Sequence, residues 1–452
     1  MIKKLAALLL FLHFSVAYSQ TIKTDVLVIG GTPSGVAAAI QCARSKVKTV
    51  LVEEDSIPVF PGFNMANTQP GLVTPGGMST INTDRNLPSG IWGEFREKFK
   101  QAYAKKLGLD TVVNAPLKFD TWDGAGLLQK IADTVKNLSI DLNTKFISIK
   151  KDDDRWDVTI SQNGKLSLIK ARVVIDATES GMVVKGAGLT YSLLDVLENT
   201  AQSKIYRTSI AMGDNIGVRF DTIAPLNNYP PFPAYTVPIK ALIVKGADNL
   251  LFIGNLLPGK NELPAQLTLG QGAGVTAAYC AFFKTTTANL KVRAIQVELL
   301  DFKGYLLPLA DISGDPYWRA IQQVCATGML KGKQKMVDGH PQFLFMPDSI
   351  VTTAEVKPVL TEIYTRAFLW FNMAKPGKEF TVGNLLSFIS ELTLTDPDNL
   401  QRKIEKEWSA QYKFKSAFDM ERPITRREFA ILANKYLNPF ARTVDMDGRI
   451  VN

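Results

Sequence analysis

The sequence predicts an α/β protein: a parallel sheet carrying a β-meander, followed by a mainly α-helical C-terminal module. Three observations predict it. The run DVLVI, residues 25–29, ends in Gly30-Gly31, is followed by the small-residue helical pattern SGVAAAIQCAR, and is then followed by the buried-strand run TVLVEE. Strand, glycine turn, helix and strand within about thirty residues make a βαβ unit, which implies parallel pairing. From Lys145 to Lys170 the period becomes two: FISIK, DRWDVTIS and KLSLIK alternate, with Asn163-Gly164 at a tight hairpin turn. Two further apolar runs, ARVVIDAT and DNLLFIGN, then return the chain to a buried sheet.

Other elements fall between these. Residues 58–90 are rich in Gly, Pro and Asn and show little periodicity; IWGEFREKFKQAYAKKL and GLLQKIADTVKN then read as helices, the second leading into a short run at Ser139–Leu142. Pro225 to Pro238 is an excursion from the sheet, and LTLGQGAGVTAAYCAFF is a last apolar helix of the first domain. Beyond Leu299–Gly304, helical patterns rich in Lys and aromatic residues alternate with Gly and Pro breaks. The expected division is therefore 1–19 as a leader, 20–300 as the sheet domain with inserted segments at about 58–122 and 190–240, and 301–452 as the helical module.

Of 452 residues, 46% are hydrophobic and 21% charged, the balance of an ordinary globular protein of two or three domains. The net charge of +9 is dispersed, with no run of five like charges, so a nucleic-acid footprint is not expected. The first twenty residues, MIKKLAALLLFLHFSVAYSQ, combine Lys3 and Lys4, an apolar core and an Ala17-Tyr18-Ser19 cleavage pattern. They read as a secretory signal peptide, so the mature chain is expected to be periplasmic or extracellular, without a membrane span. Removing that leader takes away one of only two histidines, leaving His340. Cys42, Cys280 and Cys325 are expected to be buried unpaired thiols, and no Cys/His cluster suggests a metal site.

Gly30 to Gly35 spells GGTPSG, the dinucleotide turn G-x-G-x-x-G with Thr32 at the second glycine. Such a turn aims a helix N-terminus, with its unpaired N–H groups and positive dipole end, at a pyrophosphate. Glu53 closes the second strand and is placed to accept hydrogen bonds from adenosine ribose hydroxyls. The turn alone does not separate NAD from FAD, and an empty structural βαβ unit reads the same way.

With the meander, Gly76-Gly77-Met78, ARVVIDAT and YTVPIKALIVKGADNLLFIGN followed by LTLGQGAGVTAA, most of residues 24–284 resemble the FAD-dependent oxidoreductase family with the glutathione-reductase-type FAD fold. That resemblance implies a Rossmann-like FAD/NAD(P)-binding domain with FAD as cofactor. It implies pyrophosphate contacts at Gly30, Gly31, Thr32, Pro33, Ser34 and Gly35, and a ribose contact at Glu53. Gly77 and Met78 would lie along the cofactor, and Ile147 would touch the adenine side through its backbone. Ala177 and Thr178, which also read as the plain end of a buried strand, would border it with Gly254 and Asn255. A helix starting near Leu269, through Gly270 and Gln271, would aim its N-terminus at the flavin.

Three departures stand out: Thr32 for a glycine, Glu179 after Thr178 where glycine is usual, and PGKNELPAQL where a flavin-facing His often sits. Without a histidine in this domain, Glu262 is the expected catalytic base, ahead of Tyr235 and Asp84. There is no Cys pair for a disulfide reductase and no second dinucleotide motif for NAD(P)H.

Residues 311–360, with Trp318, Gly328, Gly332, Phe345 to Asp348 and T-x-A-E, are similar to an S-layer homology repeat, and 418–437, ending ITRREFAILANKYL, to a second. The resemblance implies glycan contact, for which Thr353 lacks the arginine and Arg426 keeps it; a helical packing module is the other reading. The VDMDGR loop fails calcium-loop spacing. The expected function is an exported FAD-dependent oxidoreductase taking a hydride from a small polar, carbohydrate-derived substrate and passing electrons to an unidentified acceptor. A surface- or glycan-binding protein with a structural FAD domain is the alternative.

Overall fold

A computed structural model of the chain describes residues 21–56, 78–81, 87–107, 117–193, 204–214, 229–231, 233–254, 256 and 263–451. The signal-like leader lies outside the described residues, as do Gly77, Asp84, Asn255 and Glu262.

Strand β1 (Thr21–Ile29) is the axis of the molecule. It pairs in parallel with β2 (Thr49–Val52) on one side and with β8 (Lys165–Asp176) on the other. Next to β2 lies β5 (Leu138–Asp141), and next to the end of β8 lies β11 (Leu250–Phe252), both parallel. Helix α1 (Pro33–Arg44) makes the crossover from β1 to β2. The chain builds β2 to one side of β1 and β8 to the other, so a crevice opens between the ends of β1 and β8. That reversal of strand order is where open α/β sheets bind ligands.

The meander is β6 (Thr144–Asp152), β7 (Arg155–Gln162) and the first half of β8. KLSLIK and ARVVID form one twelve-residue strand rather than two. Its first half alternates because one face is solvated, and its second half is apolar throughout because it is buried on both sides. The Asn163-Gly164 turn has positive φ at both residues, 52° and 78°, as a tight hairpin turn requires.

Alternation along β1 distributes the core. Val26 and Val28 face the helices, while Leu27 and Ile29 join Phe146, Trp156, Val158 and Ile169 on the meander side. The helical face carries α1 and α5 (Leu263–Phe282), whose contact is made by small residues. A Cβ on Gly270 would lie 2.1 Å from the Ser34 carbonyl oxygen, so only glycine allows the two helices to approach this closely. Helices α2 (Gly90–Leu107) and α3 (Thr121–Asp133) cover the rest of that side. Two antiparallel pairs lie off the main sheet: β3 (Met78–Ile81) with β4 (Leu117–Asp120), and β9 (Ser209–Asp214) with β10 (Ala234–Pro238). The short helix α4 (Met182–Gly186) follows β8 directly, and α6 (Val292–Asp301) leads out of the sheet domain.

The C-terminal region contains α7 (Trp318–Thr327), an exposed hairpin of β12 (Lys333–Val337) and β13 (His340–Leu344), and five more helices. These are α8 (Thr353–Ile363), α9 (Ala367–Ala374), α10 (Val382–Thr393), α11 (Pro397–Ala410) and α12 (Arg426–Leu437). Three short extended segments lead into α8, α10 and α12 and meet in a closed ring. Val351 N–H donates to Ile424 O, Ile424 N–H to Phe380 O, and Phe380 N–H to Val351 O, each at 2.9 Å. A second cycle surrounds it: Thr353 to Lys378, Val382 to Arg422 and Arg426 to Ser349. Each segment then caps its helix with a threonine hydroxyl, from Thr352, Thr381 or Thr425, which accepts from the N–H of Glu355, Asn384 or Glu428. The region thus repeats one unit three times. One continuous buried core joins it to the sheet domain.

Candidate functional site

The strand ends gather the site. Gly30 leaves β1 with φ +107°, a conformation open to glycine, and its Cα faces the Ala177 backbone so closely that a Cβ would sit 2.8 Å from the Ala177 carbonyl carbon. A Cβ on Gly35 would lie 2.0 Å from Gly30 O, and one on Gly254 1.8 Å from Thr178 O. The turn after β1, the end of β8 and the end of β11 are therefore in backbone contact, which brings Gly30, Gly35, Ala177, Thr178 and Gly254 together in space.

Thr32 is explained by its backbone. It has φ −58° and ψ 160°, ordinary extended geometry, so the second glycine position does not require glycine here. Its hydroxyl caps α1, accepting from Gly35 N–H at 3.2 Å and donating to Ala177 O at 3.2 Å. Pro33 occupies the first helical position, where its missing N–H is no loss. Ser34 is buried, with its hydroxyl 3.1 Å from that of Thr32.

Glu53 is 9% exposed at the end of β2. Its carboxylate accepts from Gly31 N–H, and from Asp55 N–H at 3.0 Å, one bond to each oxygen. Burial pushes this carboxyl above its ordinary value, against the opposing pull of those two N–H groups. The start of β6 returns beside it, with Thr144 N–H donating to Glu53 O and Lys145 paired to Glu54 at 3.1 Å. The β6–β7 register slips between Phe146 and Ser148, so Ile147 sits in a bulge beyond the ladder with its side chain exposed.

Asp176 is a site residue that the sequence reading missed. Fully buried at the end of β8, it accepts from Thr178 N–H (3.0 Å), the Thr178 hydroxyl (2.6 Å), Val183 N–H and Val184 N–H (both 2.9 Å). It thereby ties the Ala177-Thr178 corner to the start of α4. The signal for it was an acidic residue inside an apolar strand run. Glu179 is exposed in place of the usual glycine, and the left-handed position has moved to Gly181, φ +65°.

Two expectations are corrected. Helix α5 is already formed at Leu263, so Gly270 and Gln271 lie two turns inside it rather than at its start. Gln271 is 1% exposed and turns inward: its Oε1 accepts from Ile91 N–H, and its Nε2 donates to Gln41 Oε1 and Phe302 O. Both residues serve helix packing. Arg426 is likewise internal, 0% exposed, with its guanidinium bonded to Phe345 O, Lys331 O and the Glu355 carboxylate. Fully buried, it is not placed to meet a glycan.

Of the candidate bases, Tyr235 is buried on β10 against Gly213 of β9, and Glu262 and Asp84 fall outside the described residues. Met78 opens β3, opposite Asp120. His340 is exposed on the β12–β13 hairpin. All three cysteines are buried and unpaired, and burial pushes the Cys280 and Cys325 thiols up to about 12. Among the described residues there is no cluster of metal-ligating side chains and no helix long and apolar enough to cross a membrane.

This arrangement defines a dinucleotide-binding α/β domain. Residues 25–223 match the model of a family described as FAD dependent oxidoreductase. A comparison with curated proteins gives no match. Among solved structures, the chain is similar to L-proline dehydrogenase from P. horikoshii, at 18% identity over 35% of this chain and 23% of that one, with a TM-score of 0.21. It is similar to p-nitrophenol 4-monooxygenase PnpA from Pseudomonas putida DLL-E4, at 18% identity over 38% and 44%, with a TM-score of 0.26. It is also similar to THI4 of Thermovibrio ammonificans, at 12% identity over 62% and 96%, with a TM-score of 0.31. The first seven solved chains are spanned over less than half their length. The family match, over less than half of the chain, makes the N-terminal part similar to FAD-dependent oxidoreductase domains and indicates FAD as the cofactor.

The residues present fit the adenosine and pyrophosphate end of that cofactor. The Gly30–Gly35 turn presents a capped helix N-terminus to a diphosphate. Glu53 accepts one N–H bond on each oxygen, which leaves acceptor capacity that ribose hydroxyls would use, and the bulge takes Ile147 out of the β6–β7 ladder beside it.

Proposed function

We propose that the protein is an exported FAD-dependent oxidoreductase acting on a small polar substrate of carbohydrate origin. The observation that carries the reading is the backbone junction of Gly30, Ala177-Thr178 and Gly254, closed by the buried Glu53, inside the segment that matches the family. When bound, FAD would supply the two-electron oxidant for hydride removal from a substrate carbon. The chain's own part is to hold and exclude. The turn holds the diphosphate, Glu53 the ribose, and Asp176 keeps the Thr178 corner rigid beneath them. A histidine base is not available from the sheet domain, so proton removal falls to a carboxylate or a tyrosine, with Glu262 first. Export rests on the leader pattern, and the carbohydrate origin on that pattern together with the S-layer-like segments.

Purified mature protein tests this directly. A visible flavin spectrum that is bleached by a candidate sugar or polyol under anaerobic conditions supports the proposal. Failure to bind FAD, even when it is supplied, overturns it. Flavin that binds tightly but resists every such substrate, while accepting electrons from dithionite, would favour a structural role for the cofactor.

A further inference from the structure

Helix α9, Ala367–Ala374, buries one side and leaves the other without cover. Trp370 and Phe371 point inward, where Trp370 meets Phe388 edge-on at 5.0 Å and donates its indole N–H to Ser387 Oγ at 3.1 Å. The opposite face presents Phe368, Leu369 and Met373, which are 58%, 60% and 83% exposed. Their spacing, i, i+1 and i+5, puts them on one side of the helix, held rigidly by the aromatic anchor beneath. Singly exposed apolar residues are ordinary, but three large ones on two turns of helix are a patch.

The rim of this patch is cationic. Lys375 ends the helix, Lys378 follows in the chain, and Lys357 of α8 lies with its Nζ 5.6 Å from the Phe371 ring. Among the described residues no carboxylate pairs with any of these three. Arg366, at the start of the helix, is matched by Glu391 at 2.6 Å. Counting Glu379 and Glu391 against Lys357, Arg366, Lys375 and Lys378 leaves an excess of two positive charges. A short helix with large apolar side chains outward and lysines around its edge has the make-up of an interfacial helix, whose partner is a negatively charged, partly apolar plane. We propose that the α9 face docks this protein on an anionic lipid surface, with Phe368, Leu369 and Met373 entering the headgroup layer and the lysines meeting lipid phosphates.

The test is co-sedimentation of the full mature protein with vesicles of phosphatidylcholine alone or mixed with phosphatidylglycerol. With about fivefold per basic charge near an anionic surface, an excess of two predicts partitioning stronger on the mixed vesicles by roughly 30-fold. Binding should fall steeply with added salt. Lys375→Glu with Lys378→Glu should abolish it, and Leu369→Asp should reduce it at least tenfold. Lys150→Glu with Lys165→Glu, an equal charge change on the meander, should leave it intact. Circular dichroism of each variant verifies that these surface changes leave the fold in place. Absence of binding, equal binding to both vesicles, or equal loss from the meander pair would overturn the proposal. So would a dimer in sedimentation that Leu369→Asp dissociates, because the face would then be covered by a second copy of the chain.

Discussion

Arg207 and Glu362 face each other through two parallel hydrogen bonds, NH1 to Oε1 at 2.7 Å and NH2 to Oε2 at 2.9 Å, across the junction of the sheet domain and the C-terminal region. Arg207 is 0% exposed, and its remaining donors reach Thr327 O and Gly448 O. Lys204 bonds to the same carboxylate. Because Arg207 is buried while Glu362 is 30% exposed and also held by Lys204, removing one partner costs up to about 3–5 kcal/mol, most when the buried guanidinium is the group left behind. Arg207→Ala is therefore expected to lower the thermal midpoint sharply, and a double-mutant cycle with Glu362→Ala should recover much of that loss as coupling energy. Burial alone raises the Glu362 carboxyl, but hydrogen bonds from Arg207 and Lys204 outweigh it and hold it at about 2. The folded value lies below the unfolded one, so the stabilisation is present above about 4.5 and is lost as the pH falls toward 2. The gap between wild type and Arg207→Ala should close over that window in urea unfolding.

Thr32 carries a testable consequence of standing where a glycine is usual. Its hydroxyl caps α1, so Thr32→Ala should lower stability by about 1 kcal/mol in denaturant unfolding. Thr32→Ser should restore the cap. A Thr32→Ala variant as stable as wild type would mean that the hydroxyl is not the cap in solution.

Glu53 separates stability from cofactor affinity. Burial raises its folded pKa, so the ionised carboxylate works against the native state above that value, and the penalty fades as the pH drops toward about 4.5. Glu53→Gln removes the charge and keeps an acceptor for only one of the Gly31 and Asp55 N–H groups, its amide NH2 facing the other. Without FAD at pH 7, its thermal midpoint should stay close to that of wild type, because relief of the buried charge offsets the lost acceptor. Its FAD affinity, measured by fluorescence titration, should fall about 10- to 100-fold, because a charged acceptor to the ribose is lost.

Gly270→Ala places a methyl 2.1 Å from the Ser34 carbonyl, in a contact between two helices with no room to yield. Overpacking of this kind costs about 1–3 kcal/mol, and here it also pushes on the turn that holds the diphosphate. The expected result is a lower thermal midpoint together with reduced flavin content after purification. Gly126→Ala in α3, where a Cβ meets nothing within 4 Å, should change neither.

Where the determining contacts are local, the sequence was readable. The β1–α1–β2 unit, the Asn163-Gly164 hairpin and the Glu53 position all follow from spacing within about thirty residues. What escaped was set by distant partners. Arg426 has the look of a surface charge, and only the carbonyls of Phe345 and Lys331 with the Glu355 carboxylate, dozens of residues away, make it internal. The last sheet-domain helix was placed to start near Leu269 because its glycine-rich stretch begins there, whereas Leu263 and Pro264 already belong to it. The T-x-x-E pattern revealed the units at Thr352 and Thr425. The middle unit was hidden because Asn384 stands in the glutamate position, although it makes the same reciprocal capping bonds with Thr381.

The ring formed by Val351, Phe380 and Ile424 also sets an order of events. Each segment donates to one neighbour and accepts from the other, so no two of them can satisfy their backbone groups alone. During synthesis, residues 349–353 and 378–382 must wait, polar groups unpaired, until residues 422–426 have emerged. A chain ending before residue 422 would therefore lack the third side of the ring, and its C-terminal region could not close.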